Sequence, residues 1–241
     1  RPPGRGEMCG KFTQMASWAE IVAFSRALTE PPRPKAGGGG EGGGGERGGG
    51  SCEGGNDASV VATPMRFASI MRLDAKGARE MVPMRWGFSK PGAASPARPD
   101  YMHARAETVD VRPAFAASFR ERRGLCFVRT FNEGEEIGSR TRQWTVTPKD
   151  GRPLAIAVIY EEWRNGDLSL LTFVQVTTAA NALIAPITDR MPAILPERDW
   201  PLWLGETAAP LAAVKAALVT FEDRGAWDFA PEPPRQPRRR A

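Results

Sequence analysis

From residue 67 onward, short apolar runs rich in β-branched and aromatic residues recur along the chain. They are four to seven residues long and are bounded by Gly, Pro, Asp or Asn, which is typical of strands separated by turns. Asp150-Gly151 and Asn165-Gly166-Asp167 are predicted to form hairpin turns between the last three of these runs. The predicted strands are Phe67–Leu73, Leu125–Val128, Gln143–Thr147, Leu154–Tyr160 and Leu170–Val176.

Apolar residues at helical spacing are confined to a few segments. Ser17-Trp18-Ala19-Glu20 has the pattern of a capping box and is followed by such spacing, and Pro113 suits a first helical position. The predicted helices are 17–29, 113–122 and 208–219, with a turn or short helix at Glu197–Leu204 that holds Trp200 and Trp203 against the core. Because the strands are sequential and the connections too short for crossover helices, we predict an α+β fold with a mainly antiparallel, barrel-like β-sheet and a few flanking helices.

The segment 33–55 has a different composition from the rest of the chain. Eleven of the fourteen residues from Gly37 to Gly50 are glycine, and such a segment buries too little apolar area to offset its backbone entropy. We therefore predict a flexible insertion within a single domain spanning 8–230. Residues 1–7 are expected to be an extension that is removed or non-native, and 231–241 a disordered tail rich in Pro and Arg.

The formal charge of +5 lies at the two ends of the chain. Residues 1–7 contribute +1 and residues 235–241 contribute +4, so the stretch between them carries no net charge. A basic pI therefore gives no evidence for a nucleic-acid-binding domain, and any such function must rest on a local patch.

Composition also limits the cellular setting and the kind of site. Three cysteines and one histidine neither form a disulfide framework nor match a zinc-site spacing, so no metal and no cofactor are predicted. Cys126 lies in an apolar run and is expected to be a buried strand thiol. No run approaches the ~20 apolar residues of a membrane helix. We expect a soluble, cytoplasmic monomer with no membrane contact.

A cysteine follows the first methionine, in Met8-Cys9-Gly10-Lys11-Phe12. If translation begins at Met8 or the chain is cut after it, Cys9 carries a free α-amine (pKa near ~8) and a thiol (pKa near ~8.5). Such an aminothiol condenses with an aldehyde to an imine and then closes to a thiazolidine ring. The alternative is a small buried cysteine in a first strand.

Five stretches in this order resemble the SOS-response-associated peptidase (SRAP) family, over roughly 8–30 and 60–205. The family's usual forms are Met-Cys-Gly-Arg-Phe, Trp-Gly-Leu, Asn-Ala-Arg-x-Glu-Thr, Gly-Phe-x-Glu-Trp and His-Asp-Arg-Met-Pro. The matching stretches here are Met8–Phe12, Met84–Phe88, His103–Thr108, Phe131–Gly134 and Ile187–Pro192.

The resemblance implies a protein that shields abasic sites in single-stranded DNA. In the family the mature N-terminal cysteine forms a thiazolidine with the ring-opened sugar, and that role falls on Cys9. The family also removes the residues before the cysteine by self-cleavage, which suits the extension 1–8. Glu133 corresponds to the family's glutamate, which can shuttle protons while the imine forms and resolves. The alternative for Glu133 is a surface carboxylate in an acidic run.

Four residues are candidates for nucleic-acid binding. Arg105 and Arg190 match the family's arginines, and guanidinium forks suit backbone phosphates. Either could instead be an ion-pair partner, of Glu107 and Asp189 respectively. Lys11 keeps the charge of the family's arginine but not its fork. Trp86 suits a base-stacking platform or a packed core.

Three positions depart from the family pattern. Thr188 replaces the catalytic histidine and cannot act as a general acid or base near neutral pH. His103, the only histidine of the chain, replaces an asparagine and either supplies that proton transfer or is structural. Gly134 replaces a tryptophan. These changes bear on crosslink reversal and proteolysis, whereas ring formation needs chiefly Cys9 and a carboxylate.

Three functions follow from these residues. The first is a sensor that crosslinks covalently to abasic sites in single-stranded DNA through Cys9, a lyase-like activity combined with self-processing. The second is a thiol peptidase acting in trans with Cys9 as nucleophile and His103 or Glu133 as base. The third is a non-catalytic single-stranded DNA binder.

Overall fold

The computed structural model describes residues 11–14, 61–90, 92–96 and 98–232, with Lys11 and Val61 described by their backbone alone. Cys9, the extension before it, the helix predicted over 17–29 and the glycine-rich segment 33–55 lie outside the described residues.

Short helices flank a large sheet. The described helices are α1 (Ala116–Glu121), a 3-10 turn (Glu197–Asp199), α2 (Trp200–Leu204) and α3 (Leu211–Ala216). The strands are β1 (Lys11–Gln14), β2 (Val61–Ala62), β3 (Phe67–Leu73), β4 (Arg79–Trp86), β5 (His103–Arg105), β6 (Arg123–Ile137), β7 (Arg140–Pro148), β8 (Leu154–Asn165), β9 (Leu168–Ala179), β10 (Arg190–Pro192) and β11 (Trp227–Pro231).

Strand pairing closes part of this sheet into a ring. Going around it, β9 pairs with β4, β4 with β3, β3 with β6, β6 with β8, and β8 again with β9. Only the pairs of β9 with β4 and with β5 are parallel in the described sheet. The predicted α+β fold, with a mainly antiparallel sheet and few helices, is confirmed, and the sheet is ring-like.

Strand β6 is much longer than the predicted run Leu125–Val128. Its first half pairs with β8 and its second half with β7, while β1 runs along it from Lys11 opposite Asn132 to Gln14 opposite Val128. The second half was not predicted because most residues from Thr130 onward are polar and interrupt the hydrophobic pattern. This second half carries Glu133 and receives the first described strand of the chain.

One predicted hairpin is confirmed and the other is wrong. Asn165 pairs with Leu168 across a two-residue turn, and Gly166 has φ +56°, which favours glycine. Asp150-Gly151 is a turn, but β7 and β8 on either side of it pair with β6 and not with each other.

The helical predictions are confirmed in place but not in length. The segments predicted over 113–122 and 208–219 contain α1 and α3, each of six residues, and Trp200 and Trp203 are buried as expected. Helices of this size cannot span a bilayer, and no described helix is long and apolar enough to do so. Strand β11 extends to Pro231, the first residue of the predicted tail.

Alternate residues of the ring strands pack into two clusters. In β8, Ile156 and Val158 belong to the cluster that contains Trp86 and Phe173, to which all five ring strands contribute. The intervening residues of β8 join a second cluster with helical residues such as Trp203. The first cluster contains no residue of a described helix, and we call it the enclosed cluster.

Phe173 tests the importance of the enclosed cluster for stability. It is fully buried, whereas Leu168 on the same strand is 67% exposed. We expect Phe173→Ala to lower the free energy of unfolding by about 3–5 kcal/mol and Leu168→Ala to change it by about 0.5 kcal/mol or less. Urea denaturation measures both, and equal losses for the two variants would contradict the assignment.

Candidate functional site

The short strand β5 carries two of the predicted site residues. It pairs in parallel with β9, with His103 opposite Gln175 and Arg105 opposite Thr177. Residues two apart in a strand face the same way, so His103 and Arg105 lie on one face. The imidazole of His103 meets the ring of Trp86 edge-on, with 5.7 Å between ring centroids.

Trp86 is a core residue and not a surface platform. Its side chain is fully buried, and its indole lies nearly parallel to the ring of Phe173, with centroids 6.1 Å apart. Its Nε1–H donates a hydrogen bond of 2.9 Å to the carbonyl oxygen of Met102. The predicted base-stacking role requires an exposed ring face, which Trp86 lacks. Trp86 instead ties β4 to the residue that precedes His103.

Arg190 is buried and forms an ion pair with an exposed carboxylate, and the partner differs from the predicted one. Its Nη1 and Nη2 donate to the two carboxylate oxygens of Glu107 at 2.7 and 2.9 Å, and Nη2 also donates to the carbonyl oxygen of Thr177. The hydrogen bond from Arg190 is the main reason that the pKa of Glu107 lies below its usual value. Because both terminal nitrogens of the guanidinium are engaged, Arg190 serves as an ion-pair partner for Glu107, not Asp189.

Arg105 has the opposite environment. It is exposed, and it makes no hydrogen bond or ion pair with any described residue. Its expected partner, Glu107, is engaged by Arg190 instead. The guanidinium of Arg105 is therefore accessible to an external anion, and of the two arginines it is the one that suits a phosphate.

Glu133 is fully buried, so the alternative of a surface carboxylate is wrong. It lies in β6 opposite Trp144, and it shares a face with Phe131, a member of the enclosed cluster. The sequence suggested exposure because Glu135 and Glu136 follow, but these residues lie farther out along β6. The neighbour of Glu133, Asn132, is the residue paired with Lys11.

Three further residues singled out in the sequence are Thr188, Lys11 and Cys126. Thr188 is buried just before β10. Its N–H donates to the carbonyl oxygen of Ile184, and its Oγ1 has no hydrogen-bond partner within the described ranges. Of Lys11 only the backbone is described. Cys126 is buried as expected, and burial raises the pKa of its thiol well above the usual value.

Two contacts of the site were not anticipated. Gln175 is fully buried on β9 beside His103. Asn132 donates through Nδ2 to Thr145 Oγ1 at 2.7 Å and to Glu232 Oε1 at 2.9 Å, which joins β6, β7 and the residue after β11. Neither residue has a sequence signal, because both contacts join segments that are far apart along the chain.

The comparison with curated proteins finds relatives at about 30% identity. The chain is 31% identical over 124 residues to the abasic site processing protein YoqW of Bacillus subtilis, covering 50% of this chain and 55% of that protein. It is 30% identical over 122 residues to the abasic site processing protein YedK of Escherichia coli, covering 49% and 53%. The chain thus spans about half the length of these relatives.

Solved structures share the fold. A protein from Bordetella bronchiseptica aligns with a TM-score of 0.71 at 18% identity, covering 93% of this chain and 100% of that one. A protein from Bacteroides thetaiotaomicron aligns with a TM-score of 0.59 at 23% identity, covering 68% and 73%. At these identities the likeness establishes the architecture alone.

The family model described as SOS response associated peptidase (SRAP) matches residues 8–229. That match begins at Met8, directly before Cys9, and includes all five stretches that carry the resemblance. The chain therefore belongs to the SRAP family.

Proposed function

We propose that this protein recognises abasic sites in single-stranded DNA and binds them covalently through Cys9. Family membership and the names of the curated relatives support abasic-site processing. The observation that carries the covalent mechanism is the buried carboxylate of Glu133, next to the residue of β6 with which Lys11 pairs.

Chain connectivity limits the distance of the proposed nucleophile from β1. Cys9 precedes Lys11 by two residues, so their Cα atoms are at most about 7 Å apart. Lys11 is paired with Asn132, the neighbour of Glu133. This connection between Cys9 and the strand paired beside Glu133 supports the proposal that the aminothiol and the carboxylate act together.

The reaction balances without a cofactor. The α-amine of Cys9 adds to the C1′ aldehyde of the ring-opened abasic sugar, and the carbinolamine loses water to give an imine. The thiol sulfur then adds to the imine carbon, and its proton passes to the nitrogen, which closes the thiazolidine. One water is released in total.

This chemistry needs a free α-amine and therefore cleavage of the bond between Met8 and Cys9. We include autoproteolytic removal of the preceding residues in the proposal. The carboxylate of Glu133 takes a proton from the attacking amine and returns it to the leaving hydroxyl, which is general acid–base catalysis by a positioned group. Thr188 orients water or sugar through its hydroxyl and transfers no proton, and His103 provides the titrating group.

The protein holds the DNA strand through contacts to its phosphates. Arg105 offers an exposed guanidinium on the face that carries His103, and the pair of Arg190 with Glu107 holds β10 and the loop after β5 around it. Phosphate contacts of this kind fix register without reading sequence, which suits a lesion that has no base.

Removing the thiol of Cys9, and with it closure of the thiazolidine ring, is the primary test. Mature protein beginning at Cys9, verified by intact mass, should form an adduct with a single-stranded oligonucleotide carrying one abasic site, without borohydride. Cys9→Ala should abolish this adduct, whereas Cys126→Ala, which removes a buried thiol, should retain it. Denaturing gels measure the adduct.

The outcomes of this test separate the three functions. Failure of mature protein to form the adduct would overturn the proposal. Hydrolysis of peptides in trans without an adduct would favour the thiol peptidase. Salt-sensitive binding that is indifferent to Cys9 would favour a non-catalytic binder.

The role of Glu133 predicts a loss of rate. We expect Glu133→Gln to slow adduct formation by about 100-fold or more, because the amide cannot exchange the proton. Glu136→Gln, an exposed substitution on the same strand, is the matched control and should react at the unmodified rate. Rates under single-turnover conditions and melting temperatures are measured together, and an unchanged rate for Glu133→Gln would contradict the role.

The phosphate contact of Arg105 predicts a change in salt dependence. We expect Arg105→Gln to weaken binding of undamaged single-stranded DNA and to lower the slope of log K against log[salt] by about 0.7, the value for one phosphate on a single strand. Arg164→Gln changes an exposed arginine near the other end of β9 and should leave the slope unchanged. Fluorescence anisotropy at several salt concentrations decides between these results.

A further inference from the structure

The side-chain amide of Gln175 in β9 makes no hydrogen bond with the part of the chain that the structure describes. The side chain is fully buried, and neither Oε1 nor Nε2 has a hydrogen-bond partner among these residues. Leaving a buried polar group unpaired typically costs about as much as a hydrogen bond contributes, so most such groups in proteins are paired. An unpaired amide beside a proposed reaction site is therefore evidence that it has a partner at some stage of function.

The strand register identifies its neighbours. Gln175 is opposite Val158 on one edge of β9 and opposite His103 on the other. Val158 belongs to the enclosed cluster, and cross-strand neighbours project to the same face of a sheet, so Gln175, Val158 and His103 share that face. The unpaired amide thus lies beside the only histidine of the chain.

The two side chains are chemically matched and within reach. Neighbouring strands of a sheet lie about 5 Å apart, and the carboxamide of glutamine extends three bonds beyond its Cβ on rotatable torsions. Its oxygen can accept a hydrogen bond from an imidazole N–H, and its nitrogen can donate to the unprotonated ring nitrogen. Either bond would fix the tautomer and the orientation of the ring.

We propose that Gln175 is a positioning residue that holds the imidazole of His103 by a hydrogen bond from the ring N–H to its Oε1. The amide is not bonded to the imidazole in the structure, and a rotation of either side chain makes the contact when the site is used. The inference deepens the proposed function, on which the catalytic use of His103 rests, but the contact itself can be tested without the reaction.

Other charged groups near His103 also influence the pKa of its imidazole. Arg105 follows two residues later on the same face, the pair of Arg190 with Glu107 lies beyond it, and Glu133 is on the part of β6 that faces the enclosed cluster. None of these is altered in the variants below, so a change in titration reports on Gln175.

The single histidine makes the test direct, because its imidazole gives one set of NMR signals. We expect Gln175→Met, which keeps the volume and removes the amide, to lower the pKa of His103 by about 0.7 unit, the equivalent of one hydrogen bond. Gln175→Glu should raise this pKa because a carboxylate favours the imidazolium. Imidazole ¹⁵N shifts report the tautomer in each variant.

The matched control is Thr172→Val. Thr172 is on the same strand, is equally buried and has an unpaired Oγ1, but it is opposite Arg85 and Glu161 on the other face of β9. The Thr172→Val substitution should leave the pKa of His103 unchanged. All titrations are made on the free protein and on its complex with single-stranded DNA that carries a tetrahydrofuran abasic analogue.

The results separate this inference from the proposed function. Identical titration and tautomer of His103 in wild type and Gln175→Met, free and bound, would overturn the inference even if the Cys9 adduct forms. A shift in either state supports it even if no adduct forms. Should Gln175→Glu not fold because of its buried charge, the comparison of Gln175→Met with Thr172→Val decides alone.

Discussion

Strand β9 is the element on which the site depends, because it is hydrogen-bonded along both edges. One edge pairs with β8 and then β10, and the other pairs with β4 and then β5. A strand paired on both edges leaves few backbone groups unsatisfied, so its backbone can be buried at little cost. Its register therefore fixes where the short strands β5 and β10, too small to be stable alone, present their side chains.

The ion pair of Arg190 with Glu107 also fixes the position of β10 relative to the loop after β5. Arg190 is 7% exposed, and a buried guanidinium is costly unless its hydrogen bonds are made. Glu107 satisfies two of them in a bidentate arrangement, and Thr177 satisfies a third from β9. Such a pair contributes little net stability compared with apolar packing, but it specifies one arrangement of β10 relative to the loop after β5. As a consequence Arg105 makes no hydrogen bond or close ion pair with the described residues, although its charge helps to lower the pKa of Glu107, and its guanidinium is accessible.

The sequence was sufficient for the fold class and for the family, but not for the environment of each side chain. Apolar runs gave five strands, because half-buried strands carry an obvious hydrophobic pattern. They missed β4, in which Arg79, Glu80, Pro83 and Arg85 interrupt that pattern. Local sequence also could not indicate whether Trp86 faces the interior or whether Arg190 pairs with Glu107. Both depend on contacts between segments that are far apart along the chain.

Burial is also what makes the carboxylate of Glu133 suitable for its proposed role. A carboxylate in water is well solvated and exchanges protons with solvent, whereas one enclosed by protein is held in a single position and interacts strongly with a nearby charge. An amine that becomes cationic as it attacks an aldehyde would be stabilised by such a group. In the proposed mechanism, Thr188 in place of the family's histidine removes one proton-transfer residue and leaves this carboxylate in place. That mechanism assigns the remaining proton transfer to His103 on β5, where Gln175 is the adjacent polar side chain on β9.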